Sequence, residues 1–208
     1  SFYHGGEATM CEHLKKSIDY TRTHCGENGF PLMLASDWND MLSRVCREGK
    51  GERVMHADIG AEGTLLEKDQ VRDVLSVFES YGIEVIPEVQ SLAHIEYITN
   101  AHPEFAELGK ALKHNPDLDT SNIQHPHILD HCYCPSDERC MALIRDIIDE
   151  IVEVVNPKRY VHIGHDEAYH LGLCPECSKK GAVNVYIDHV IALHDYLAEK
   201  GLKTMLWS

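Results

Sequence analysis

No apolar run in this chain approaches the roughly 20 residues that span a bilayer, and no basic, apolar, small-residue leader opens it. Basic residues are scarce: 19 Lys and Arg stand against 34 Asp and Glu, a formal net charge of -15. That balance argues against nucleic acid and anionic membrane as partners, because both reward cationic side chains, and it is compatible with a neutral ligand such as a sugar. The missing leader leans the expected location toward the cytoplasm. Signs of disorder are missing too. With 43% hydrophobic and 25% charged residues the composition is that of an ordinary globular chain, and 208 residues suffice for one good core or two small ones. The chain starts at Ser1 and stops on the strand-like Met205-Leu206-Trp207-Ser208 with no polar tail, so both ends are expected to be cut from something longer.

Cysteine is plentiful by contrast. The 8 cysteines are compatible with free thiols, metal ligands or disulfides, and composition does not choose among them. Cys174-Pro175-Glu176-Cys177 is a CxxC, and Cys132, Cys134 and Cys140 cluster beside His131. If both clusters lie on loops at one end of a barrel, a structural zinc site with Cys134, Cys174 and Cys177 is geometrically open, and so are small buried thiols. No other cofactor is expected.

The chain changes character near Arg53. Ahead of it, Glu7 to His24 reads as an amphipathic helix, Gly26-Glu27-Asn28-Gly29 as a turn, and Asp37-Trp38-Asn39-Asp40 as the approach to a second helix. Beyond it the pattern alternates. Strands are expected at Val54 to Ile59, Ile83 to Glu88, Tyr160 to Gly164 and Lys203 to Trp207. Helices are expected at Lys68 to Tyr81, Ser136 to Val155 and Asn184 to Lys200, with an irregular His-, Asn- and Pro-rich stretch before the second. Two domains follow, a helical segment over 1–53 and an α/β unit over 54–208. Strand, helix, strand, repeated, implies parallel strands joined by crossovers.

The stretch Tyr160-Val161-His162-Ile163-Gly164-His165-Asp166-Glu167 is a short apolar strand ending in adjacent carboxylates. Neighbouring side chains on a strand point to opposite faces, so both acids can enter one cleft only if the chain turns, and Gly164 permits a turn. Paired acids in a partly dry cleft divide into a protonated and a charged member, which glycosidic cleavage requires. Glu88, His94, Asp166, Glu167 and Trp207 all fall at or just past strand ends, the face on which (β/α)₈ barrels build their sites. Singly, each has a plainer reading: a solvated charge, a helix-start histidine, a core tryptophan. A metal on His162 and His165 is disfavoured because side chains three apart on a strand face opposite ways. A zinc deaminase reading of His165-Asp166-Glu167 with the CxxC fails because the two parts are too close in sequence.

Gly82-Ile83-Glu84-Val85-Ile86-Pro87-Glu88, His94, Cys134-Pro135-Ser136, His162 to Glu167 and Met205-Leu206-Trp207-Ser208 together resemble glycoside hydrolase family 20, the β-N-acetylhexosaminidases, from about Ala57 onward. The resemblance implies a (β/α)₈ TIM barrel and a retaining mechanism in which the substrate's own 2-acetamido group is the nucleophile, an exception to the two-carboxylate scheme. It implies that Asp166 orients the acetamido nitrogen, that Glu167 protonates the leaving oxygen and later activates water, and that His94 tunes the acid's proton. Glu88, His94, His165 and Trp207 form the expected substrate-contacting set. Two positions depart from the family pattern: Gln90 replaces an Asp four residues before the histidine, and His165 replaces a Gly, adding a titratable group beside the acid.

Glu7-Ala8-Thr9, Glu12-His13, Gly26 to Met33, Asp37-Trp38-Asn39-Asp40 and Gly49-Lys50-Gly51-Glu52 are similar to glycoside hydrolase family 94, the cellobiose and chitobiose phosphorylases. That similarity implies an (α/α)₆ barrel with Asp40 as general acid, yet the segment amounts to one helical hairpin and Met41 stands where a Gly is usual. Asp40 is therefore read as inert and Trp38 as packed. The seam is expected between Glu52 and Ala57. An eight-stranded barrel takes about 250 residues, so the family-20-like part should form only part of one. Sheet edges would be left open for the N-terminal helices or a second copy of the chain to cover. Besides hydrolysis, a non-catalytic sugar-binding remnant and a phosphorylase remain open readings.

Overall fold

The computed structural model describes residues 14–16, 18–19, 68–99, 101–127 and 131–207. The turn at Gly26, the Asp37 to Asp40 block, the strand at Val54 to Ile59 and the 53/54 boundary lie outside them. Residues 14–16 and 18–19 are helical, and Leu14 and Ile18 are buried against Val77 and Phe78.

Helix α1 spans Lys68–Ser80 and buries Val71, Val77 and Phe78. It stops because Gly82 adopts φ +65. The Ile83 N–H reaches Phe78 O at 3.0 Å and the Gly82 N–H reaches Glu79 O at 2.9 Å, closing the open carbonyls of the last turn. Helix α2 (Glu96–Thr99), a 3₁₀ turn (Pro103–Phe105) and α3 (Glu107–His114) come next. Helix α4 (Glu138–Val155) carries Asp137 as N-cap and ends on Asn156 at φ 49. Strand β1 (Tyr160–His162), α5 (Pro175–Lys180), α6 (Ala182–Glu199) and strand β2 (Lys203–Met205) complete the described order. Helix α6 ends as α1 does: Gly201 at φ +75, its N–H on Ala198 O at 2.9 Å, and the Leu202 N–H on Leu197 O at 3.0 Å. In each case the left-handed residue turns the chain from a helix into an extended stretch within a few positions.

Strands β1 and β2 pair in parallel with Tyr160 opposite Lys203, Val161 opposite Thr204 and His162 opposite Met205. On the other side of β1, Glu88 forms a parallel bridge with His162. There the Val89 N–H donates to His162 O and the His162 N–H to Pro87 O, both at 2.8 Å. Extended 87–89, β1 and β2 are therefore three adjacent parallel stretches, with β1 in the middle. The strand expected at Ile83 to Glu88 shortens to that single bridge. Pro87 has no N–H and so cannot donate to a ladder.

The apolar face of α4 (Leu143, Ile144, Ile147, Ile148, Ile151 and Val154) recurs every three or four residues and is buried in one cluster with Val161, Ile163, Leu193, Leu197 and Val71. Helix α6 contributes Val185, His189, Leu193 and Leu197 at four-residue spacing, and leaves Val183, Ile187 and Ile191 exposed on its other side. The stretch expected to be irregular contains α2 and α3. Only Leu108 and Ala111 of α3 are buried apolar residues, too few for a periodic signal, and its position is set by long-range pairing of Ala106 with Tyr133. No helix among the described residues is long and apolar enough to cross a membrane.

Beneath the sheet ends runs a buried polar chain. The Ile163 carbonyl only accepts, so His165 Nδ1, 3.0 Å away, carries the proton. His165 Nε2 then accepts from His189 Nδ1 at 2.9 Å, and His189 Nε2 accepts from the Tyr133 hydroxyl. Every group is satisfied when both histidines are neutral, and a proton added to His165 would set its Nε2–H against the Nδ1–H of His189. Burial pushes the His165 pKa down to about 4 and that of His189 well below its usual value.

Ile144→Ala, at a fully buried site, is expected to cost about 3 kcal/mol in urea denaturation. The buried histidines give a pH signature. Between pH 6.5 and 4 the unfolded chain binds protons that the folded His165 refuses, so stability is highest above that window and falls as pH drops, by up to about 3 kcal/mol for His165 alone. His165→Asn keeps a residue that tolerates φ +76 and removes the titration, so its urea midpoint should fall less from pH 7 to pH 5. An unchanged pH slope in that variant would refute the assignment.

Candidate active site

Past β1 the backbone leaves extended geometry at once: Gly164 (φ 71), His165 (φ 76) and Glu167 (φ 53) are all left-handed. Alternation is thereby broken, as the adjacent acids require. Gly164 is needed on two grounds, its φ and its surroundings, since a Cβ there would lie 2.0 Å from Gln90 Oε1 and 3.2 Å from Gln90 Cα. The turn is braced from both sides. The Trp207 N–H donates to Gly164 O at 3.0 Å, and the Gly164 N–H donates to His162 Nδ1 at 3.1 Å. Of the non-glycine residues with positive φ among those described, His94, His165 and Glu167 gather here, a concentration of strain of the kind functional sites hold.

The turn brings Asp166 and Glu167 to one side, where their side chains are 34% and 53% exposed. His94 Nε2 stands between them, 3.5 Å from Asp166 Oδ2 and 3.1 Å from Glu167 Oε2. The other oxygen of Asp166 accepts from Gln90 Nε2 at 3.1 Å, and the same amide donates to Glu88 Oε1 at 3.2 Å. Glu88 Oε1 also accepts from Trp207 Nε1 at 2.9 Å. One network thus runs Trp207, Glu88, Gln90, Asp166, His94, Glu167. The Trp207 ring lies 4.6 Å from that of His162 and remains 40% exposed. Gln90, noted in the sequence only as a departure, is the link between two carboxylates, a task an amide N–H₂ performs and a third carboxylate could not.

Three further groups at the site had no functional reading in the sequence. His131 Nδ1 lies 3.1 Å from Glu96 Oε1 and its Nε2 lies 3.0 Å from the Glu167 carbonyl oxygen. An ionised Glu96 and the backbone carbonyl both accept, an arrangement that favours a proton on each ring nitrogen. The hydrogen bond to Glu96 raises the His131 pKa against the opposing pull of burial. Burial pushes the Glu96 pKa up, but the His131 hydrogen bond, with smaller contributions, holds it below its usual value. His131 meets the His94 ring edge-on at 4.6 Å and stacks with Tyr169 at 5.9 Å. Tyr169 bonds to the Glu167 carboxylate, which raises the phenol pKa. The one signal available in sequence was proximity, Tyr169 being two residues past Glu167. His131 comes from a distant loop, and nothing in its spacing points here.

His165 needs a correction. It was expected in the substrate-contacting set beside the acid, but its side chain is 2% exposed and both ring nitrogens are used inside the protein. The left-handed φ at 165 swings it under the cleft. His94, Glu96 and His131 also lie close together, with His131 Nδ1 3.1 Å from Glu96 Oε1. Cys134, Cys174 and Cys177 do come together, with Glu107, in a separate buried cluster. Of the concave pockets on the molecule, one lies among Gly82, Val85, Val154 and Lys158, at the amino ends of the strands and away from the acids. The acids themselves sit on an open shelf at the carboxyl ends.

The model of the glycosyl hydrolase family 20 catalytic domain matches residues 27–208. The match begins ahead of the boundary expected near 53 and takes in part of the segment read as similar to family 94, a resemblance that gains no support. Hexosaminidase D of Bos taurus is 28% identical over 103 residues, which are 50% of this chain and 25% of that protein. Among solved structures, the chitobiase of Flavobacterium johnsoniae superposes with a TM-score of 0.56 at 19% identity, covering 71% of this chain and 22% of that one. The N-acetyl-β-hexosaminidase of Streptomyces plicatus gives 0.55 at 17% identity over 100% of this chain and 37% of its own. These superpositions speak for the fold, and the chain spans well under two thirds of each relative. With the match running through the parallel stretches and both carboxylates, the chain belongs to glycosyl hydrolase family 20.

Proposed function

We propose that this chain carries a β-N-acetylhexosaminidase site on part of a (β/α)₈ barrel, and that it hydrolyses terminal N-acetylhexosamine from a carbohydrate by substrate-assisted retaining catalysis. The observation that carries the reading is His94 Nε2 between Asp166 Oδ2 and Glu167 Oε2, at 3.5 and 3.1 Å. Three adjacent parallel stretches with both acids at their carboxyl ends are what a segment of such a barrel presents.

In this reading Asp166, steadied by the Gln90 amide, accepts from the N–H of the substrate's 2-acetamido group and turns its carbonyl oxygen toward C1. A bond from that oxygen to C1 forms as the glycosidic bond breaks, and Glu167 delivers its proton to the leaving oxygen. Water then opens the cyclic intermediate while Glu167 takes a proton back. His94 positions the acid and tunes its proton. Glu88 and the exposed face of Trp207 would line the sugar side of the shelf. No cofactor takes part.

A second reading, sugar binding without turnover, is favoured by the openness of the shelf, since an acid that is 53% exposed gains little from desolvation. The phosphorylase reading depended on Asp40, outside the described residues, and nothing supports it. A second copy of the chain, if one binds, would cover the edge of β2 that is unpaired among the described residues and the exposed Val183, Ile187 and Ile191 stripe, a state that light scattering measures directly.

With p-nitrophenyl N-acetyl-β-D-glucosaminide, Glu167→Gln is expected to lower turnover by about 10²- to 10⁴-fold while leaving the fold intact by circular dichroism. Equal rates for the variant and the parent protein would sink the hydrolase reading. Calorimetric binding of N-acetylglucosamine with no release of p-nitrophenol would select the binding reading instead.

A further inference from the structure

The cysteine cluster is separate from the acids and serves no step above. Cys134 Sγ is 3.5 Å from Cys174 Sγ and 3.6 Å from Cys177 Sγ, and all three residues are buried. A disulfide needs about 2.05 Å between sulfurs, so these thiols are unbonded, as the free state of each cysteine records. Four ligands placed tetrahedrally around an ion with metal–sulfur bonds of about 2.3 Å put their sulfurs about 3.8 Å apart. The observed spacing is within a few tenths of an ångström of that.

The fourth corner is occupied. Glu107 is 0% exposed, and its ligand oxygen lies within 4.8 Å of all three sulfurs, as they do of one another. Its Oε1 accepts from the Leu173 and Cys174 N–H groups, both at 2.8 Å. Its Oε2 is buried and has no hydrogen-bond partner. A buried carboxylate oxygen with nothing to accept from is costly, and here it sits in a cluster of metal-ligating atoms.

We propose that Glu107, Cys134, Cys174 and Cys177 bind one structural zinc ion. Three thiolates and a carboxylate in a closed, buried tetrahedron suit Zn²⁺, and the absence of an open position marks the site as structural. On binding, three zinc–sulfur bonds and one zinc–oxygen bond form, the three thiol protons pass to solvent, and nothing is oxidised or reduced. Outer partners are in place. The Cys177 N–H points at Cys174 Sγ at 3.4 Å, and Ser136 Oγ lies 3.1 Å from Cys177 Sγ, where its hydroxyl can turn toward a thiolate. Lys110, paired with Asp137 at 2.6 Å, adds positive charge beside Cys134. Backbone pairing sets the geometry in advance: the Glu107 N–H donates to Cys132 O at 2.9 Å and the Cys134 N–H to Phe105 O at 2.8 Å. The ion would tie three segments together: the start of α3, the 132–137 loop and the CxxC turn that follows the acids. Just ahead of the 132–137 loop stands His131, whose ring meets the Glu167 backbone.

The site stands whether or not the chain hydrolyses sugars, so its test is separate. The full chain, purified under reducing conditions without chelator, should contain about one zinc per chain by plasma mass spectrometry. Its Co²⁺ form should show thiolate-to-metal absorption and the intense visible bands of a tetrahedral ion. Cys177→Ser should abolish binding and Glu107→Gln should weaken it by at least about tenfold, while Cys132→Ser, at a buried thiol outside the cluster, should retain the metal. If the ligand variants fail to fold, the unaltered chain still decides. Failure to take up added Zn²⁺, or a Cys174–Cys177 disulfide in the intact mass, overturns the proposal.

Discussion

The site depends on one constraint, the placement of β1 between two parallel neighbours. His162 exchanges backbone hydrogen bonds with Pro87 and Val89 on one side, and Ile163 and Gly164 bond to Met205 and Trp207 on the other. With its backbone committed on both sides, the chain past Ile163 has to turn abruptly, and three left-handed residues accomplish it. The same two neighbours deliver Glu88, Gln90 and His94 from one side and Trp207 from the other. Side chains separated by more than a hundred positions therefore meet because the sheet is in register, and the hydrogen bond from Trp207 to Glu88 is an outcome of that register.

Charge around the acids is arranged in two tiers. Next to the carboxylates stand the Gln90 amide, the His94 ring and the Tyr169 phenol. Behind them His131 faces two acceptors, one of them the Glu167 backbone, and the hydrogen bond to Glu96 raises its pKa. Below lies the opposite case, His165 and His189, held neutral by burial and by a hydrogen-bond chain with one consistent direction. Histidine pKa values are thus moved in opposite directions in one molecule, up at His131 by its acceptors and down at His165 and His189 by burial.

Legibility followed the range of the physical signal. The expected helices at Lys68 to Tyr81, Ser136 to Val155 and Asn184 to Lys200 correspond to Lys68–Ser80, Glu138–Val155 and Ala182–Glu199, because apolar spacing and αL stops at Gly82 and Gly201 are local properties. The acid pair was legible for the same reason: two carboxylates after a short apolar strand with a glycine between. Helix α3 was missed because it is short, poor in buried apolar residues and held by pairing with a segment about thirty positions away. His131 was missed as a site residue because its partners, Glu96 and Glu167, come from two other loops.

Residue order alone carries the periodicities, the strand-end carboxylates, the glycine that lets them turn and the motif blocks of the family. It also brought Cys134, Cys174 and Cys177 together as candidates, by type and spacing. Direction came from the folded backbone. It turned His165 under the cleft instead of into it, made Gln90 a bridge between Glu88 and Asp166, and set Glu107 as the fourth corner of the thiol cluster. The reason is the same each time: residue type sets what a side chain can bond to, and backbone dihedrals with sheet register set which partner it reaches.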